Sequence, residues 1–244
     1  MRDDDVRKKD YLQRRIEPIS PKATGSIDDF LRRLGGCSFQ GRALSRCLDV
    51  LEAMTTDDGC LLVMTLSGAM VPGGMEQTIV ELIEEGVIDL LVTTGANVSH
   101  SMVNHADEEN QGHFVGAPSA DDADLFRHAI NRIYDTFLPE EGYHKGEMLL
   151  EALLREHFDE SGIDPTTPWR VTPSELFGIV GSGLEKLGRH GLLASAHRCG
   201  IPIYCGATSD SEFALNIVKF NERYGWQIII DELADVNHFA GRLL

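Results

Sequence analysis

The sequence predicts a doubly wound α/β fold, Rossmann-like with a parallel sheet, preceded by an N-terminal helical extension. Three observations carry that expectation. Cys60–Leu66 and Ile88–Thr94 are short continuous apolar runs bounded by turn residues, as in strands covered on both faces. A segment of helical character joins them, so strand, helix and strand follow within about 35 residues, the pattern of a parallel βαβ unit. The alternation then returns near the other end, as strand Ile201–Tyr204, helix Ser211–Tyr224, strand Trp226–Ile230 and helix Asp231–Leu244.

In chain order, residues 1–26 are charged and carry Pro18, Pro21 and Gly25, which reads as an arm before a single domain over 27–244. Ser26 or Asp28 can cap a helix over Ile27–Leu34, and Gly35-Gly36 ends it. A second helix over Gly41–Met54 places Leu44, Cys47, Leu48 and Leu51 in one stripe. Ser67–Met75 is a turn that leads into a helix running to Glu85. The polar middle, Asn97–Pro139, holds an acidic loop at Asp107–Glu109 and a turn at Gly116–Pro118. Further helices are expected over Asp121–Asn131, Lys145–Phe158, Pro173–Phe177 and Gly191–Arg198, the third opened by Thr172 with proline in its first position. Gly178–Gly183 is glycine-rich but follows a helix, so it reads as an interhelical loop and not as a phosphate-binding turn.

Composition removes several function classes. A formal charge of −17 repels nucleic acid and suits a basic protein partner or a cationic small molecule such as a polyamine, although acidity also serves solubility. The apolar runs are too short to cross a bilayer, and Met1–Asp10 lacks the apolar core of a signal peptide, so the expected address is the cytoplasm. Five cysteines without CxxC spacing favour free thiols over disulfides or zinc. His100, His105 and His113 are separated by five and eight residues, which does not suit two metal ligands on one helical face, and no metal site is expected.

Ligands of open parallel sheets bind beyond the carboxyl ends of strands. Three segments fall there: Ser67–Gly74, Thr93–Asn97 with Ser99 and His100 behind it, and Gly206–Ser211. Their small residues permit close backbone approach, and the following helices aim free N–H groups at the turns, which favours a phosphate. None matches the GxGxxG pattern. Asp210 could receive a ribose hydroxyl or a cationic amine, or it could cap the following helix.

Five motifs in order, Ser67–Met75, Val92–His100, Ile130–Asp135, Val171–Ser174 and Asp210-Ser211, resemble the deoxyhypusine synthase family over roughly Ile27–Leu244. The resemblance implies a Rossmann-like, oligomeric, NAD-dependent transferase. Such an enzyme oxidises spermidine, holds the aminobutyl group as an imine on a lysine, and passes it to a lysine of the hypusine-bearing translation factor. Carried over motif by motif, Gly68, Ala69, Met70, Val71 and Pro72, then Thr94, Gly95 and Ala96, then Asp210 would contact NAD. Ser99 and His100 stand where eukaryotic members use paired glutamates toward cofactor and polyamine, and Leu215 stands in place of a polyamine-contacting aspartate. The Gly-Ala-Asn-x-x-His version is similar to the archaeal and bacterial branch.

The glycine-rich strand and the imine-forming lysine of the family have no counterpart here, and none of Lys8, Lys9, Lys22, Lys145, Lys186 and Lys219 lies in that motif. No catalytic residue is therefore assigned, and a homo- or hetero-oligomeric partner chain is expected to supply the lysine. Two alternatives stay open: a non-catalytic regulatory subunit of a catalytic paralogue, and homospermidine synthase-like transfer to a small diamine.

Overall fold

The structure, a computed structural model, describes residues 11–106 and 112–243. Most of the charged start of the arm and the acidic loop Asp107–Glu109 lie outside the described residues. The chain forms two compact units, one up to Cys60 and one from Leu61 onward.

In the first unit, Ser26 caps helix α1 (Ile27–Arg33) by accepting from the Asp29 amide at 3.1 Å, and the helix packs on α2 (Phe39–Thr55). Arg32 joins Asp28 to Glu52 across the pair, and Ser45 is buried between the helices, its hydroxyl donating to Arg32 O. The exposed ion pairs contribute little on their own. The expected helix is present, but Leu44, Cys47 and Leu51 of its stripe are exposed.

The second unit is built on strands β1 (Val63–Leu66), β2 (Leu90–Thr93) and, after several helices, Ile203–Tyr204, all parallel and in the order first, second, last. Leu90 and Leu91 are both fully buried, as are Ile203 and Tyr204. Successive strand residues point to opposite faces, so both faces are covered at β2 and β7, while β1 is only partly buried and leaves Thr65 exposed. An irregular turn, Val71–Met75, leads into α3 (Glu76–Glu84), and β2 leads into α4 (Gly95–His105).

The polar middle departs from expectation. It forms a small antiparallel sheet of β3 (Phe114–Val115), β4 (Ile130–Ile133) and β5 (Thr136–Pro139) in the order β3-β5-β4. The helix expected over Asp121–Asn131 is shorter: α5 (Asp122–Arg127) is capped by Asp121 and ends before Ala129, whose φ of 53° turns the chain into β4. Tyr134, also at positive φ, makes the tight link between β4 and β5.

Helix α6 (Glu140–Ser161) then runs to Gly162, and β6 (Trp169–Val171) enters α7 (Pro173–Lys186) through a capping box between Thr172 and Glu175. Gly178–Gly183 is therefore not a loop but the middle of α7. Its glycines serve contact: a Cβ at Gly181 would lie 2.4 Å from Leu193 O on α8 (Leu192–Cys199), and one at Gly183 would lie 2.6 Å from Leu153 on α6. The chain continues through β7 (Ile203–Tyr204), α9 (Glu212–Tyr224), β8 (Ile228–Ile230) and α10 (Glu232–Leu243). Strand β8 pairs with β6, also in parallel, over an edge-to-face cluster of Phe158, Trp169 and Trp226. This is the expected α/β architecture, with the antiparallel sheet added to it.

Gly181→Ala should destabilise the protein by about 1–3 kcal/mol, because backbone blocks the added methyl and the helices must separate. Urea unfolding measures this. An unchanged midpoint would mean that α7 and α8 can part freely.

Candidate functional site

Parallel pairing of β1, β2 and β7 sets their carboxyl ends side by side, and the three expected segments leave from those ends. Two contacts tie them together. Buried Asn97, in the first turn of α4, accepts a hydrogen bond at Oδ1 from the Val71 amide at 3.1 Å, and its Nδ2 donates to Thr93 and Thr94. Gly95 lies against the third segment: a Cβ there would be 2.6 Å from the Ser211 side chain. The loop after β1, the start of α4 and the loop after β7 are therefore neighbours.

Within this edge, Gly68 is exposed at φ 66° with open space where a side chain would be, and Met70 and Ala96 are also exposed. Ala69 and Thr94 are half-buried, and Val71, Pro72 and Gly95 are buried. Thr94 precedes α4 without a side-chain capping bond. Ser211, not Asp210, caps α9 by accepting from the Ala214 amide, while its hydroxyl donates to Thr208 O. Asp210 is exposed, and its carboxylate has no hydrogen bond or ion pair with another described residue. Ser99 is buried and accepts from the Phe213 amide at 3.0 Å, which fastens α4 to the first turn of α9.

His100 lies in a polar network that sequence spacing does not reveal. Its Nδ1 is 2.9 Å from His113 Nε2, and His113 Nδ1 is 2.6 Å from Asn104 Oδ1. Asn104 Nδ2 donates at 2.7 Å to Glu76 Oε2, and Glu76 Oε1 receives Ser101 Oγ and the Leu192 amide, with His105 Nε2 at 3.4 Å. Burial acts to raise the Glu76 pKa, but the hydrogen bonds from His105, Ser101 and Asn104 outweigh it and hold the carboxyl below its usual range. Burial pushes His100 down to about 4, with the neighbouring His113 as the second cause. His113 is also lowered, by burial against the opposing charge of Glu76. The ring of Tyr143 stands 6.0 Å from that of His100, and burial and then the charges of Glu212 and Glu140 raise its phenol. A cavity of about 680 Å³ borders this network, lined by Val71, Pro72, Glu76, Asn104, His105 and His113 among others.

The sequence marked His100, and His113 and His105 only as histidines spaced wrongly for a metal, without linking them into a network. Glu76 and Asn104 belong to no motif the sequence singles out, and His113 lies across a segment with no regular periodicity. Asn97 was legible as part of a motif, though its role as the tie between two loops was not.

Comparison with known proteins decides the family. The deoxyhypusine synthase family model matches residues 29–244. The chain belongs to the deoxyhypusine synthase family. A Methanosarcina mazei protein named "Probable deoxyhypusine synthase 2" is 32% identical over 224 residues, which cover 91% of this chain and 60% of the relative. "Probable deoxyhypusine synthase 1" of Methanosarcina acetivorans is 30% identical over 214 residues, 88% of this chain and 62% of the relative. The chain thus spans about three fifths of the length of these curated deoxyhypusine synthase relatives. The crystal structure of "a putative deoxyhypusine synthase" from Entamoeba histolytica superposes with a TM-score of 0.63 at 17% identity, over 92% of this chain and 73% of that one, and shows the shared fold.

Two outcomes are expected. Asn97→Ala should cost about 1–3 kcal/mol in urea unfolding, since the Val71 amide is left buried without an acceptor, and Asn97→Asp should retain more of the stability. Equal losses in the two variants would show that the acceptor is not what matters. His100 binds its proton more readily unfolded, with an ordinary pKa near 6.5, than folded, near 4. Its contribution is therefore complete above about 6.5 and is lost as pH falls toward 4. His100→Gln should flatten the stability profile across that window, and an unaltered slope would assign it to other groups.

Proposed function

We propose that the chain acts in NAD-dependent aminobutyl transfer from spermidine to a lysine of the hypusine-bearing translation factor, with the reactive lysine supplied by a partner chain. The observation that carries this reading is the convergence of the three strand-end loops through Asn97 and Gly95. Three features of the edge support a dinucleotide there. The first turn of α4 lacks a side-chain cap, so its N–H groups are available to an anion, and Gly68 leaves room for backbone approach. Exposed Asp210 can receive a ribose hydroxyl. Gly68 to Pro72 and Thr94 to Ala96 would line the cofactor, and Ser99 and His100 would face the polyamine side. Bound NAD would supply a hydride acceptor for the carbon beside an amine of spermidine.

The protein's own residues bind and orient in this scheme, and none is assigned the covalent step. Two described lysines are poorly suited to imine formation, which needs a neutral amine. Hydrogen bonding to Glu160 raises the Lys186 pKa. Burial acts to lower that of Lys219, but Glu147 and Glu212 raise it overall. Both stay as ammonium groups held by carboxylates. Family membership and the acidic composition favour a cationic amine substrate.

Asp210→Ala should weaken NAD binding by about 1–3 kcal/mol in calorimetry. Unchanged affinity would remove the ribose role from Asp210, and absence of NAD binding by the native protein would sink the cofactor reading. Borohydride treatment of this chain with spermidine and NAD should leave no covalent adduct until a full-length paralogue is added. An adduct formed on this chain alone would refute the need for a partner lysine.

A further inference from the structure

The hydrogen-bond network behind His100 has a direction. Ionised Glu76 can only accept, so the Asn104 group facing Oε2 must be the amide nitrogen, which turns Asn104 Oδ1 toward His113. Because that oxygen also only accepts, His113 Nδ1 must carry a proton. With the ring neutral, His113 Nε2 is left with a lone pair and accepts from His100 Nδ1 at 2.9 Å. His100 then holds its single proton on Nδ1. Its Nε2 carries a lone pair and has no hydrogen-bond partner among the described residues, in a residue only 8% exposed.

From this geometry we infer that Glu76, Asn104 and His113 are positioning residues that fix the tautomer of His100, so that its Nε2 is presented as an acceptor for an N–H donor of a protonated amine. The inference rests on the proposed polyamine reading for its ligand, but its tautomer does not. The surroundings agree with the ligand class: Glu140 and Glu212 both act electrostatically on Tyr143, whose ring is the other aromatic neighbour of His100. A ligand offering only a lone pair at this point would face the lone pair of Nε2. The relay therefore discriminates by hydrogen-bond polarity and not by size. Every member is held from a different direction: Glu76 by the start of α8 and by Ser101, Asn104 by α4, and His113 by the segment entering β3.

The relay makes an unusual demand on one isosteric variant. In Glu76→Gln, Ser101 and the Leu192 amide still require an acceptor, so the side-chain oxygen stays with them and the new NH₂ faces Asn104. Asn104 must then turn its oxygen toward residue 76 and its NH₂ toward His113. His113 Nδ1 becomes an acceptor, its proton moves to Nε2, and His100 is left with its proton on Nε2. One buried atom substitution thus inverts a tautomer three residues away along the chain of hydrogen bonds.

Side-chain nitrogen–proton correlation spectra of the full chain labelled with ¹⁵N-histidine, at neutral pH, read this directly. His100→Gln assigns the signals. The expected native spectrum shows His100 protonated on Nδ1 and bare on Nε2, with the pattern inverted in Glu76→Gln. Added spermidine should move the bare Nε2 signal of the native protein, and it should bind at least tenfold more weakly to Glu76→Gln. A native His100 carrying its proton on Nε2, or carrying two, overturns the inference, and so does a Glu76→Gln spectrum that keeps the native tautomer. A bare Nε2 that spermidine leaves unmoved overturns the amine-acceptor role. If Glu76→Gln fails to fold, the native spectrum and its response to spermidine decide the matter, and Asn104→Ala serves as the second variant, expected to release His100 from a single tautomer. Failure of NAD to bind in calorimetry would count against the parent reading and leave the tautomer result standing.

Discussion

The parallel register of three short strands is the constraint from which the rest of the second unit follows. Because β1, β2 and β7 run the same way, their carboxyl ends must share one edge, and the residues after each must turn there. Turning leaves backbone groups without ladder partners, and the structure resolves this with side chains from a neighbouring segment: Asn97 serves the Val71 amide, and Ser99 serves the Phe213 amide. The groups that satisfy one loop are thus carried by another. This is how a fold with only local turn chemistry acquires a shared rim.

A second layer of order lies beneath that rim. A buried carboxylate is tolerable only when its lone pairs are satisfied, and Glu76 meets that demand with donors from α4 and from the first amide of α8. Satisfying the charge aligns every dipole that touches it. The same requirement that makes Glu76 compatible with the core therefore propagates to the buried ring of His100. Packing and electrostatics meet at α8, which lies close against Gly181 of α7 and also donates its Leu192 amide to Glu76.

Much of this was legible in the sequence, and what escaped it did so for physical reasons. The apolar runs at β1, β2, β7 and β8 announced the strands, and Ser26 and Thr172 announced their helices, because continuous apolar runs and helix capping are local signatures. The antiparallel sheet left none: β3 is two exposed residues, and β4 follows directly on Ala129, whose left-handed backbone an alanine does not advertise. Gly181 and Gly183 were misleading for a related reason. Glycine marks both a turn and a close helix contact, and only the position of Leu193 and Leu153 tells them apart. At the rim, motif spacing located the loops, yet the links between His100, His113, Asn104 and Glu76 span up to 28 positions and join two helices to the segment before β3, which no periodicity encodes.

The contact between Gly95 and Ser211 has a thermodynamic side. With no room for even a methyl group between them, the start of α4 and the loop after β7 are already in their mutual arrangement before any ligand arrives. A molecule settling there would forfeit little conformational entropy on that flank. The loop after β1 is different, since Gly68 and Gly74 sit at positive φ with empty space around them. Adaptation to a ligand's shape would therefore fall to the loop after β1, with the contact between Gly95 and Ser211 acting as the fixed side of the rim.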